Sequence, residues 1–427
     1  MKIGIIGAGF TGLAAAYELQ KKGHSVTVFE RDQEPGGLAV GYKEKDWDWT
    51  LEKHYHHWFT NDNFVLNLAR EINHHVIIKR PKTSVFIKGK SYQLDSPKAI
   101  LTFSQLSLID RLRMSIVLAF LRFNPFWKPL EKINAIRFLS KTMGGRAFSL
   151  LWEPQLRNKM GKYAQEISLV WFWTRINKRT PSLAYPEGGF LTFAKHVVEE
   201  IKKQKGTFYF QTEIVELTDS DKATVKTKNA KGKEESFIFD RVIVTLPSFL
   251  FLKITPQLPD DYRNKLVRLR GLGASNMILR LTKPFLHDGT YWLSICERDS
   301  PVMVVVQHTN LIDKKHFNNE HLLYVGNYLE PTSPEFTMTK EELLKHYDST
   351  LVKINPDYKK ALISYRVFRA PFAQPIVPTG YSKLLPAFIT PLKNIYLANI
   401  EQVYPWDRGT NYAVELGQKI ARIVDNS

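Results

Sequence analysis

Gly7-Ala8-Gly9-Phe10-Thr11-Gly12 is a G-x-G-x-x-G run set between an apolar stretch and an alanine-rich one. In that setting the first glycine permits a tight turn, the second lets a phosphate approach the backbone, and the third lets a helix pack closely on a strand. Exposed N–H groups and the helix dipole then hold a diphosphate. Glu30 follows Gly12 by 18 residues, where a carboxylate accepts hydrogen bonds from an adenosine ribose and repels a 2′-phosphate. The chemistry expected is therefore binding of NAD or FAD rather than NADP. His54 and His56 lie in an aromatic stretch from Trp47 to Phe59. On a strand they would share one face, and with a pKa near 6.5 they could act as acid and base. A metal there needs a third ligand that the sequence does not identify, and polar packing at a domain junction is the competing reading. Arg157, Lys159 and Lys162 make a basic run that either holds an anionic substrate or faces solvent.

The elements that must position these groups follow from hydrophobic periodicity. Residues 3–7 read as a strand, 12–22 as a helix and 25–30 as a second strand, a β-α-β unit of Rossmann type. From about Lys79 to Arg179 the pattern turns to helices rich in Leu, Phe and Arg, which cannot belong to a parallel sheet. A turn at 185–189 leads to a helix over 191–203, a strand over 207–217 and a strand pair over 236–246. Strand-like runs at 303–307, 322–329 and 362–368 imply a second, mixed sheet, and a strand at 394–398 with a helix at 410–424 closes the chain on the first domain. The fold expected is α/β, with a discontinuous Rossmann-type domain built from 1–75, 185–260 and 393–427. The second, substrate domain then joins a helical subdomain (76–184) to a mixed sheet (261–392).

Arg31 and Gly36-Gly37-Leu38-Ala39 follow the acid directly. Here the sequence resembles the flavoprotein superfamily of amine oxidases, protoporphyrinogen oxidases and phytoene desaturases, whose signature runs from the first glycine through an acid-Arg pair to a second glycine pair. The resemblance implies FAD. It carries Gly7, Ala8, Gly9, Phe10, Thr11, Gly12, Glu30, Arg31, Gly36, Gly37, Leu38 and Ala39 over as cofactor contacts, with Ile214 placing its backbone against the adenine. It also implies that Asn399 and the segment Arg408-Gly409-Thr410-Asn411-Tyr412 close the flavin site, with the last helix directed at the electron-rich end of the isoalloxazine. Asn399-Ile400 stands where that family commonly has Gly-Asp, and Asn276-Met277 stand where its amine oxidases carry a lysine. A plain amine oxidase is disfavoured accordingly. Leu151 to Tyr163 resembles a stretch that lines the substrate side in the protoporphyrinogen-oxidase-like group, implying Arg157 and Lys159 as substrate contacts. The sole cysteine, Cys296, is remote in sequence from every flavin motif, so the FAD is expected to be non-covalent.

Composition sets the boundary conditions. A chain of 427 residues is expected to divide into more than one core. One cysteine allows no internal disulfide and fits a reduced, cytoplasmic setting. The start of the chain enters a strand at once, with none of the pattern of a signal peptide, and the apolar run 114–121 falls short of the ~20 residues a span needs. The net charge is +18, and residues 79–162 hold 17 basic against 4 acidic residues. That clustering points to an anionic partner, either a small-molecule substrate or the inner face of an anionic membrane touched peripherally. No nucleic-acid module is visible. Two function classes follow: hydride abstraction by FAD from a bulky, anionic or lipid-associated substrate, and a flavin-dependent nucleotide-sugar mutase resembling UDP-galactopyranose mutase. A non-enzymatic reading on the pattern of Rab GDP-dissociation inhibitors is weakened by the intact glycines and Glu30.

Overall fold

The computed structural model describes all 427 residues. Its first domain is a five-stranded parallel sheet in the order Thr207–Tyr209, Ser25–Phe29, Lys2–Ile6, Arg241–Val244, Ile395–Leu397. The chain therefore returns to this sheet from three distant stretches. One face is covered by the helices Phe10–Lys21, Phe190–Lys203 and Thr410–Asp425, whose apolar stripes carry Leu13, Leu19, Val197, Ile201, Val414 and Ile420 into one core. Gly417 is required where the first and last helices meet, because a Cβ there would stand 2.4 Å from the Thr11 carbonyl oxygen. The other face is covered by an antiparallel meander, Thr212–Asp219, Ala223–Asn229 and Glu234–Phe239, which packs Leu217, Val225 and Phe239 against Phe29, Val242 and Val244.

The second domain is a seven-stranded sheet ordered Leu362–Pro375, Gly271–Leu281, His321–Leu329, Val304–Gln307, Thr290–Ile295, Lys82–Ile87, Lys90–Gln93. Strand alternation sorts its two faces. Met277, Leu279, Leu323 and Val325 point to a core closed by the helix Lys340–Ile354, which begins with a capping box of Thr339 and Glu342. Leu272, Ala274, Ile278, Tyr324 and Tyr328 point the other way, toward the first domain. Asn276 shares that even-numbered phase and so faces the same space.

Residues 76–93 differ from the helical expectation. Val76–Lys79 pairs with Leu183–Pro186 in a small junction sheet, and Lys82–Ile87 turns back on Lys90–Gln93 as a hairpin. Lys88 and Gly89 both adopt left-handed backbone (φ 48° and 75°), the turn that matches strand twist. Helices begin only at Pro97. The helices Leu108–Phe123, Ala135–Thr142, Glu153–Met160 and Leu169–Asn177 form the cap. Leu169–Asn177 is its buried member, with every residue from Leu169 to Thr174 inside.

Candidate functional site

The first strand ends at Ile6, and Gly7 (φ 105°) turns the chain into the helix that starts at Phe10. Gly9 precedes that helix with no side-chain cap, so the N–H groups of its first turn are left to an outside acceptor. The space above Gly9 is open: a Cβ there would meet only the Cα of Gly37, at 3.7 Å. Gly37 (φ 58°) faces it backbone to backbone, and Gly36 (φ 121°) donates its N–H to the Ala8 carbonyl at 2.9 Å. Gly12 serves packing instead, since a Cβ there would stand 2.0 Å from the Gly7 carbonyl oxygen.

Glu30 ends the second strand beside this turn, accepting from the Ala8 N–H (2.8 Å) and the Asp32 N–H (2.9 Å). Burial pushes its carboxyl above the ordinary range. The Thr212 N–H donates to the Glu30 carbonyl at 2.9 Å, which sets the buried Ile214 next to the same strand end. Arg31 is exposed and lies against Asp32. Leu38 and Ala39 form a short 3-10 turn after Gly37, and Phe10 stacks on Phe193 at 5.6 Å. An uncapped helix start, opposed glycines and a carboxylate at the next strand end fit the diphosphate and ribose of a dinucleotide.

At the far end of the sheet, Gly409 precedes the last helix, again without a side-chain cap and with open space where a Cβ would be. Thr410 accepts from Trp58 Nε1 at 2.5 Å, and Tyr412 stacks on Trp406. Asn411 spends its carboxamide oxygen on the Phe64 and Val65 N–H groups (3.0 and 3.2 Å), capping the helix Asn63–Glu71. Asn399 is committed to the fold in the same way, with its amide donating to the Leu246 carbonyl and Ser248 Oγ, each at 3.2 Å. These two residues lock the loops around the site; the Asn399 backbone is spent on Gln402, its N–H donating to Gln402 Oε1 at 2.9 Å, which leaves the side-chain amide of Asn411 to a cofactor.

Between the two domains runs the segment 53–57. It is not a strand: pairing stops after Glu52 and resumes at Trp58, so the shared face expected for His54 and His56 does not exist. His54 Nδ1 meets the Asn276 amide nitrogen at 2.6 Å, across from the second sheet, whereas His56 Nδ1 turns back to the His54 carbonyl at 2.6 Å. His57, which the sequence reading passed over, pairs through Nδ1 with the Tyr291 hydroxyl at 3.1 Å. Burial drives all three below the usual imidazole range, to about 3, about 4 and about 3 respectively. They are neutral near pH 7, which replaces the expectation of groups titrating near 6.5. His56 packs beside Phe190, which in turn packs beside Phe10, so a run of rings connects this segment to the nucleotide cradle.

Tyr55 extends from the same segment against Trp292 and Tyr324. The rest of this inner space is basic. Arg175 pairs with Asp407 and lies 3.8 Å from the Trp171 ring centre; Arg408 donates to the Ala373 carbonyl and the Tyr328 hydroxyl. Lys159 stands 5.0 Å from the Tyr328 ring and 5.7 Å from that of Trp171. Arg175 and Arg408 each keep 19% of their side-chain surface exposed, so they line an accessible space, the chamber, between the cap helices and the second sheet. Burial, assisted by Arg175, lowers the Arg408 guanidinium to about 10.

Of the basic run, only Lys159 reaches this chamber. Arg157 is half exposed and paired with Glu153, and Lys162 is exposed and paired with Glu330. On the helix Glu153–Met160, residues two apart point to nearly opposite sides, so Arg157 and Lys159 could not both line one site. Arg175, Arg179, Tyr328 and Asp407 escaped the sequence reading. One signal was available: Arg175 ends an otherwise apolar run, Leu-Val-Trp-Phe-Trp-Thr, where a charge is out of place without a task.

The family model described as flavin containing amine oxidoreductase matches residues 10–424. A probable zeta-carotene desaturase of Synechococcus elongatus is 28% identical over 178 residues, 36% of this chain and 37% of that protein. The 4,4′-diapophytoene desaturase of Staphylococcus haemolyticus is 50% identical over 44 residues, 10% of this chain and 9% of that protein. Matches to the curated relatives thus span well under two thirds of their length. Among solved structures, a putative protoporphyrinogen oxidase from Exiguobacterium sp. 255-15 superposes with a TM-score of 0.75 at 14% identity, covering 100% of this chain and 98% of that one. A reduced UDP-galactopyranose mutase superposes with a TM-score of 0.79 at 18% identity, covering 99% and 95%. At these identities the superpositions establish the shared fold.

Proposed function

The chain belongs to the flavin containing amine oxidoreductase family, and on that premise we propose that it is an FAD-dependent oxidoreductase acting on a bulky, anionic substrate. The observation that carries this reading is the continuity of the cradle at Gly9 and Gly37, through Phe10, Phe190 and His56, with the segment that sets His54 against Asn276 at the edge of the chamber. When bound, FAD supplies a hydride acceptor. Glu30 holds the ribose hydroxyls, and the amides after Gly9 hold the diphosphate. The uncapped start of the last helix, at Gly409, favours negative charge accumulating next to it. His54, neutral and accepting the Asn276 amide at Nδ1, keeps its proton on Nε2 and so presents a hydrogen-bond donor to the substrate, and the aromatic walls of Tyr55, Trp292 and Tyr324 exclude water from that contact. The cofactor is held without a covalent bond: Cys296 is buried, and burial raises its thiol to about 12, leaving little thiolate for attachment. Anaerobic mixing of the yellow protein with candidate substrates tests the reading. Bleaching by an anionic substrate supports it, and protein that takes up no FAD on reconstitution refutes it. A mutase reading is favoured by the basic chamber, which suits a nucleotide diphosphate; turnover only after prior chemical reduction selects it.

The protein docks on an anionic membrane surface through the helix Leu108–Phe123. Only Met114 and Leu121 of that helix are buried, while Ile109, Ile116 and Phe123 are 69%, 70% and 80% exposed and fall on one side with Leu108, Leu112 and Phe120. Arg113 on this helix, and Lys98, Lys128, Lys132 and Arg137 on the neighbouring cap elements, are exposed as well. No helix is long and apolar enough to cross a membrane, but an apolar face accompanied by exposed cations can lie in the interface, each cation contributing up to about 1 kcal/mol. Cosedimentation with phosphatidylserine-containing vesicles, reversed by salt and lost in Ile116→Glu, supports docking; no binding at low salt refutes it.

A further inference from the structure

Lys159 is the least explained charge in the molecule. It comes from the cap helix Glu153–Met160, sits deep in the chamber, and has neither a hydrogen-bond acceptor nor a carboxylate within ion-pair reach. Its only close partners are the ring faces of Tyr328 and Trp171. Burying an ammonium without a counter-ion is costly, and ring faces offset only part of that cost, so burial and the neighbouring guanidinium groups hold Lys159 well below the usual lysine range until an anion arrives. Three further cations lie near it, Arg175 and Arg408 along the chamber and Arg179 at an exposed position just past the cap helix Leu169–Asn177. Arg175 and Arg408 act on Lys159 electrostatically, as does Arg179, whose guanidinium also lacks an acceptor while its carbonyl is held by Arg122. Against these four stand Asp407, paired with Arg175, and Asp95, which acts on Arg179. The histidines are neutral and add no counter-charge. The positive charge is not there to hold the fold together, because mutual repulsion and desolvation both oppose folding.

We propose that Lys159, Arg179, Arg175 and Arg408 form a receptor for a multiply charged oxyanion group of the substrate, carried on a flat, unsaturated body that lies against Trp171, Tyr328 and Tyr55. This names the substrate class of the site described above and rests on that reading for the flavin beside it. Three guanidinium groups and an ammonium can meet the oxygens of a diphosphate or of paired carboxylates, and the ring faces that now cover Lys159 supply the surface for the body. The same field disfavours amines: a cationic substrate would add to the positive field of the guanidinium groups, whereas an oxyanion neutralises it and favours the charged form of Lys159. The chamber thereby departs from the amine chemistry in the family's description.

The test uses FAD-loaded protein titrated with inorganic pyrophosphate and, separately, with phthalate, followed by flavin absorbance and thermal shift. Saturable binding of pyrophosphate assigns the group as a diphosphate, and saturable binding of phthalate assigns it as paired carboxylates. Lys159→Met should weaken the bound probe at least tenfold with FAD content unchanged, and should not lower the melting temperature of the unliganded protein. Arg179→Gln should weaken it similarly, giving a second variant should the first misfold. Arg157→Gln, outside the chamber, should leave probe affinity as in the wild type. No saturable binding of either probe, equal affinity in Lys159→Met and Arg179→Gln, or tighter binding of benzylamine than of both probes would overturn the proposal. Loss of FAD from Lys159→Met would also overturn it, by assigning the charge to the cofactor. Wild-type protein that never loads FAD is a different failure, that of the oxidoreductase reading.

Discussion

Two alanine substitutions separate the glycine that serves the cofactor from the glycine that serves the fold. In Gly9→Ala the new methyl group meets one atom, the Gly37 Cα at 3.7 Å, an ordinary contact, and the backbone at position 9 (φ −72°) is open to any L-residue. Apoprotein stability should therefore stay within about 0.5 kcal/mol of wild type, the range of a substitution that disturbs no packing. The methyl nonetheless occupies the space where a diphosphate must approach the helix start. Each charge-assisted hydrogen bond it displaces is worth about 1.5–3 kcal/mol, so the FAD dissociation constant should rise roughly 10- to 200-fold per bond lost. Gly12→Ala inverts the pattern. Its methyl would stand 2.0 Å from the Gly7 carbonyl oxygen, backbone against backbone, so strand and helix must part by about 1 Å. Overpacking of that kind costs about 1–3 kcal/mol and should lower the melting temperature of the apoprotein itself. Thermal denaturation of cofactor-stripped protein and fluorescence titration with FAD measure the two effects separately. If Gly9→Ala binds FAD as wild type does, the open space above Gly9 is not the diphosphate site and the placement of the cofactor is refuted.

Glu30→Ala should weaken FAD binding by about 1.5–3 kcal/mol, and because burial raises the Glu30 carboxyl, wild-type affinity should fall on acidification at a higher pH than an ordinary carboxylate would give; a dissociation constant unchanged by the substitution counts against its ribose contact. Glu52 is fully buried between the Tyr185 hydroxyl and the Phe190 N–H, and burial pushes its carboxyl from 4.5 up to about 7. A raised carboxyl binds its proton more tightly in the folded state, so its contribution to stability is greatest below about 4.5, falls through the interval up to about 7, and is level above it. At 1.36 kcal/mol per pKa unit the loss is roughly 3 kcal/mol, and urea melts of Glu52→Gln across that interval should show a flatter pH profile than wild type; identical profiles would dismiss the assignment. His54→Gln should slow anaerobic flavin bleaching by about 10²-fold with FAD content intact, and since burial holds His54 and His56 near 3 and 4, the wild-type rate should not inflect near pH 6.5. An inflection there that disappears in His54→Gln would show that His54 is charged in the working enzyme.

The nucleotide end of this protein could be read from its sequence because it is made of contiguous chain. Gly7, Gly9 and Gly12 act through backbone turn and close approach, Glu30 follows on the next strand, and spacing along one strand-turn-helix translates almost directly into position. The parallel sheet and its return strands were likewise visible as apolar runs, although the hairpin 82–93 was hidden because its turn, Lys88-Gly89, is not an Asn-Gly or Asp-Gly pair and its second strand, Lys-Ser-Tyr-Gln, is polar and short. His54 and His56 show where spacing stops being informative. Their alternation predicts a shared face only if the segment pairs as a strand, and it does not; the partner of His54 is Asn276, 222 positions away. The chamber lies further still from local rules. Tyr55, Lys159, Arg175, Tyr328 and Arg408 come from the junction segment, two cap helices, the second sheet and the loop before the last helix. Nothing in the neighbourhood of Lys159 distinguishes it from Arg157 or Lys162; helix phase sends it inward and the other two to Glu153 and Glu330. Its burial, and with it the chamber's charge, depends on surroundings assembled from the whole chain, and desolvation exists only once those surroundings close around the group.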